Sequence, residues 1–108
     1  MSIAVALDDL AATLAGYPWG YLLTVADDGR PRVRAVPTQL VDGRLVCATG
    51  DGARTNVASR SNVTMVFPSP DNAMSLIVDG DAEATNNGIA LTPTSAVLHR
   101  AALRAGTA

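Results

Sequence analysis

The sequence predicts a mainly β protein: a small antiparallel barrel of about six strands, with one N-terminal helix and one short helix between strands. Short runs rich in Val, Leu, Ile and Thr recur at regular spacing, each bounded by Gly, Pro, Asp or Asn. Asp42-Gly43 lies between two alternating runs, the strongest short hairpin signal. Clear helical periodicity is confined to the start of the chain.

Residues 4–15 read as that first helix. Leu7, Leu10, Ala11 and Leu14 fall at i, i+3, i+4 and i+7, with Asp8 and Asp9 on the other side. Gly16 and Pro18 end it. "WGYLLTVA" is the first strand, "DDG" a turn and "RPRVRAVPTQLV" one long strand. The Asp42-Gly43 turn joins it to "RLVCAT". "GDGA" at 50–53 reads as a loop, and "RTNVASRS" as one or two helical turns because it is polar and lacks strand alternation. "NVTMVFP" is a strand stopped by Pro68 and Pro70. "AMSLIVDGDAEAT" is a strand interrupted by "DG", and two readings fit it: a second hairpin, or one long strand kinked or bulged at Gly80. "NNG" at 86–88 is a turn. In the tail, "SAVLHR" fits a last strand and "AALRA" a frayed helical end.

With 108 residues, the expectation is one domain spanning 1–108. At 48% hydrophobic and 17% charged, the composition is that of a globular chain. Tyr17, Trp19, Tyr21 and Phe67 are the only aromatics, so Val, Leu, Ile and Ala build the core, and such a thin core favours an oligomer. A net charge of −2 argues against nucleic acid as a partner. No apolar run is long enough for a membrane span. The N-terminus has no basic region and carries Asp8 and Asp9, so it is not read as a signal peptide, and a cytoplasmic location is expected. Cys47, the single cysteine, reads as a small buried apolar residue.

Several kinds of chemistry have no support. There is no P-loop, no G-x-G-x-x-G and no nucleophile elbow. His99 is the only histidine, which leaves no metal site. The acids Asp27, Asp28, Asp42, Asp71 and Asp79 sit in turn signals. Anion binding is better supported. All eight basic residues are Arg, and Arg32 and Arg34 share one face of a strand, about 7 Å apart. At that distance they repel by about 2 kcal/mol at an effective dielectric near 20, and by about 0.6 kcal/mol in water. A solvated face tolerates this; an enclosed groove needs an anion between them. Thr49, the "GDGA" glycines and Arg54, Thr55 and Asn56 at a helix start make a phosphate cradle. Pairing through Asp42-Gly43 would set the Arg34 strand beside the strand ending at Thr49.

These stretches, "LLTVADDGRPRVRAVPTQLVDGRLVCAT", "GARTNVASRSNVTMVFP" and "SLIVDGDAEAT", together resemble the pyridoxamine 5′-phosphate oxidase-like family, whose fold is the flavin-binding split barrel. The resemblance covers about residues 20–85 and rests on G-x-P-x-x-R, the strand-ending Thr, the basic residue opening a short helix, Asn62 before a Val-Thr strand, and Gly80-x-Ala82. It implies an FMN site at a homodimer interface, with F420 as the alternative cofactor. Arg34 would hold the FMN phosphate; Ala35, Val36, Pro37 and Thr38 would lie along the ring; Thr49, Arg54, Thr55 and Asn56 would complete the site. Gln39 and Thr55 stand near positions where relatives carry Lys. The Trp-, Arg- and His-rich C-terminal segment of the pyridoxamine phosphate oxidases is missing, apart from a faint echo in His99 and Arg100, so that substrate is not expected. The implied activity is a flavin-dependent oxidoreductase on an unidentified small molecule, the alternative being a flavin-binding protein without its own catalysis. No catalytic residue is singled out.

Overall fold

From the N-terminus, the computed structural model, which describes residues 1–69 and 74–102, runs β1 (Ser2–Val5), a 3₁₀ turn (Leu7–Asp9), α1 (Leu10–Leu14), β2 (Trp19–Val25), β3 (Pro31–Pro37), β4 (Gln39–Val41), β5 (Arg44–Ala48), α2 (Asp51–Ser59), β6 (Asn62–Phe67), β7 (Ser75–Ala84) and β8 (Gly88–His99). The mainly β, antiparallel reading holds. The Pro70 strand stop, the Asp71 turn and the helical end of "AALRA" past Ala102 lie outside the described residues.

The strands hydrogen-bond in the order β3-β2-β6-β7-β8-β5-β4, with β1 added to the far half of β8. β3 and β4 are separated in the chain by Thr38 alone, yet they occupy opposite ends of this path. The sheet therefore curls until its two ends meet, leaving a seam where β3 lies against β5 without a ladder. This corrects the single long strand expected over 30–41. Pro37 has no N–H to donate, so the ladder with β2 stops there. It also corrects the expected pairing: β4, not β3, is the ladder partner of β5. The hairpin turn itself is as expected, with Asp42 and Gly43 both at positive φ, 50° and 79°, as a type I′ turn requires.

The N-terminal helix is shorter than the periodicity suggests. Ile3 and Val5 are β-branched and pair with Leu98 and Ala96 along the free edge of β8. Helix survives only in α1, anchored by buried Leu10. Splitting one expected strand and adding β1 brings the count from about six to eight. The question at Gly80 resolves as a kink. β7 is one strand of ten residues with a register shift between Asp79 and Gly80. There the backbone carbonyl of Thr92 occupies the space a Cβ would need.

The core is aliphatic around one ring. Phe67, Leu22, Leu45, Met65, Leu76, Ile89, Leu91 and Val78 are completely covered. Val57 fixes α2 over β2, β7 and β8. Cys47 lies in this core, and burial pushes its thiol up to about 11. The unfolded chain ionises its thiol at a lower pH, so the folded state alone keeps the proton between those values. Stability should be unaffected by this group below about pH 8 and fall as pH rises from about 9 to 11. Urea unfolding of wild type and Cys47→Ala at pH 7.5 and 10.5 checks this: the variant should lose less stability on going to high pH. An equal loss would show that the thiol ionises alike in the folded and unfolded states.

Candidate functional site

The seam opens into a cleft of about 520 Å³, within the usual range of about 300–1,000 Å³ for small-ligand sites. One wall is the inner face of β3. Val36 is buried, and alternation puts Arg34 and Arg32 on its side of the strand. They stand opposite Leu22 and Thr24 of β2, both buried. The other wall is the end of β5 and the start of α2: Ala48, Thr49, Gly50, Gly52 and Ala53. The backbone N–H of Thr49 donates to the Asn87 carbonyl at 3.1 Å, fixing that strand end. Asn56 Nδ2 donates to Thr24 Oγ1 at 3.1 Å, which satisfies the buried Thr24 hydroxyl and ties α2 to the cleft floor.

α2 begins at Asp51, three residues before the expected start. Gly50 is its extended N-cap, and the 50–53 stretch forms the first turn instead of a loop. The first intrahelical bond of Arg54 runs from its N–H to the Gly50 carbonyl at 3.2 Å. The helix end facing the cleft is therefore Gly50 to Ala53, where free N–H groups and the positive end of the dipole lie. A Cβ at Gly50 or Gly52 would meet no protein atom within 4 Å, so the glycines keep this end open. Asp51, which the sequence places close to an anion site, points outward with its side chain 97% exposed and pairs with Arg54 at 3.3 Å.

The expected site residues divide. Arg34, Ala35, Val36, Thr49 and Asn56 line the cleft together. Pro37, Thr38, Arg54 and Thr55 are not part of its lining. Arg54 Nε instead donates to the Thr85 carbonyl at 2.7 Å, bracing α2 against the turn after β7. Thr38 Oγ1 points back at the Val36 carbonyl, 3.4 Å away. Gly50 and Gly52, expected as cradle glycines, do line the cleft, and Ala53 joins them without having been singled out. Arg32, which the residues suggest as a solvated or partner-facing neighbour of Arg34, also lines it, as its alternation with Arg34 allows.

Among the described residues no acidic side chain lines the cleft, which holds two arginines in a chain of net charge −2. Arg34 Nη1 donates to the carbonyl of Val33, at 2.8 Å. Among the described residues no carboxylate pairs with it. Among the described residues the lining has no His, Cys, Lys or Tyr; it combines two arginines with an apolar strand wall.

The fold is a split barrel whose seam opens into a cleft lined by Arg32 and Arg34. The same architecture is seen in a structure named F420 reductase (TM-score 0.65, 22% identity, covering 78% of this chain and 93% of that one). It is seen also in the FAD binding protein from Mycobacterium smegmatis (TM-score 0.66, 16% identity, 93% and 100% covered). A proposed pyridoxamine 5′-phosphate oxidase of Listeria innocua is similar too (TM-score 0.68, 17% identity, 85% and 96% covered). The chain belongs to the same family as the uncharacterized proteins Mb0449c of Mycobacterium bovis and MT0457 of Mycobacterium tuberculosis, each 38% identical over 117 aligned positions, 89% of this chain and 80% of theirs. No protein-family model matches the chain. Among the described residues no helix is long and apolar enough to cross a membrane.

Proposed function

We propose that the protein binds a flavin-type cofactor in the seam cleft, FMN in the first instance and F420 as the alternative, and serves as a cytoplasmic oxidoreductase on a small molecule. One observation carries this reading: Arg34 on one wall faces the open N-terminus of α2 on the other, with no carboxylate in the lining among the described residues. Arg34, the Thr49 hydroxyl and the N–H groups of Gly52 and Ala53 suit a phosphate. The apolar strand wall of Leu22, Ala35, Val36 and Ala48 suits a ring. The names of two structural neighbours, an F420 reductase and an FAD binding protein, support the cofactor class. A bound flavin supplies hydride chemistry at its N5; the chain's residues bind and orient it. A flavin-binding protein without its own catalysis is the second reading, favoured by the lack of a proton-moving side chain in the lining. The test is the visible spectrum of the purified protein before and after FMN or F420 is added. A cofactor spectrum that a hydride donor bleaches fits the enzyme, one that no donor changes fits the carrier, and no binding of either cofactor at micromolar levels rejects both.

A homodimer belongs to the same proposal. The outer face of β2 and β3 exposes Trp19, Tyr21 and Val33, with the two rings edge-to-face at 5.1 Å. A contiguous apolar face of this kind fits a partner copy. Light scattering should give twice the chain mass for wild type and a monomer for Val33→Glu. A monomeric wild type at all concentrations would end the dimer proposal.

A further inference from the structure

The Arg34 pocket accounts for one phosphate, but the cleft carries a second cation. Arg32 lines the same cavity two residues along the same strand face, about 7 Å from Arg34. The two are held differently. Arg34 has no acidic partner among the described residues, whereas Arg32 Nη2 reaches Asp28 Oδ2 at 3.4 Å. That pair is half exposed, at 44% and 53% for the two side chains, so it holds weakly. Asp28 is itself fixed by the turn, because its Oδ1 accepts the backbone N–H of Arg30 at 3.0 Å. Asp28 is thus an anion standing beside the cleft mouth, on the cation next to the phosphate site.

We infer that Arg32 forms a second anion subsite and that the ligand carries two anionic groups: a phosphate at Arg34 and a further phosphate or carboxylate that takes Arg32 over from Asp28. This rests on the flavin-type reading and deepens it. Arg32 then sets which cofactor is preferred. A mononucleotide such as FMN leaves the subsite to Asp28. A diphosphate flavin such as FAD, or a deazaflavin with an acidic tail such as F420, uses it. Each supplies a second anionic group.

The two groups predict opposite effects. Arg32→Gln removes the cation, so the affinity ratio of FAD or F420 over FMN should fall about tenfold or more. Asp28→Asn removes the competing anion and keeps an oxygen for the Arg30 N–H, so the same ratio should rise severalfold. Arg32→Lys should recover part of the loss. Equilibrium titrations of wild type and the three variants with FMN, FAD and F420 read these ratios, and circular dichroism confirms folding. A gain with FAD alone identifies the diphosphate source, and with F420 alone the acidic tail. If FMN binds through its phosphate but neither substitution moves the ratios, the second subsite is rejected and the cofactor reading stands. If wild type binds none of the three, both fail.

Discussion

Replacing Arg34 by alanine should lower the affinity for FMN by about ten- to a hundredfold and change that for riboflavin by less than about threefold. Arg34 is exposed and, among the described residues, its guanidinium hydrogen-bonds to the neighbouring Val33 carbonyl and pairs with no carboxylate, so the loss reports on the ligand and not on folding. A hydrogen bond between charged groups contributes about 1.5–3 kcal/mol, and riboflavin lacks the charge. The partly enclosed cleft strengthens the contact relative to water. Arg34→Lys should recover part of the affinity, since it restores charge without the guanidinium fork. Titration by quenching of flavin fluorescence measures all three. An equal loss for FMN and riboflavin would mean that Arg34 shapes the cleft without holding phosphate.

The largest stability effect should come from Phe67→Ala, a loss of about 3–5 kcal/mol. Phe67 is the chain's only phenylalanine, fully buried at the end of β6 and paired in register with Leu76. Its ring fills the space beside Gly20, where an added Cβ would come within 2.7 Å of the ring edge. The other core side chains are smaller and are held in ladders, so they cannot close the void. A domain of this size has about 5–15 kcal/mol in total, and the melting temperature should fall on the order of 15–25 °C. Phe67→Leu should lose less. Calorimetry decides: a loss below about 1.5 kcal/mol for the alanine variant would show that the core collapses around the gap.

Much of this was legible in the residues. Alternation and turn chemistry carry strand identity, and Asp42-Gly43 carries the hairpin at its observed positive φ values. Strand alternation puts Arg34 on the cleft side of β3, but its meeting with Thr49 comes from curling of the sheet, which sets β3 against β5, and not from the hairpin the residues suggested. Four features were not legible. The division of 30–41 into β3 and β4 depends on curling of the whole sheet, which no local pattern encodes. The strand identity of β1 depends on a free edge of β8, a partner more than ninety positions away in the chain. Arg54 has the right chemistry for phosphate and sits near the right helix end, but one turn of helix rotates it toward Thr85. Gly50 and Gly52 read as loop residues because glycine disfavours helix interiors. In a first turn facing a cleft, the missing side chains leave room for a ligand.

The central claim is that the seam cleft binds a flavin-type cofactor by its phosphate, and parallel titrations of the unmodified protein with FMN and with riboflavin test it most directly. FMN should bind at micromolar levels and more tightly than riboflavin by about tenfold or more, with inorganic phosphate competing for FMN alone. Equal affinities, or phosphate competing with both ligands alike, would contradict it.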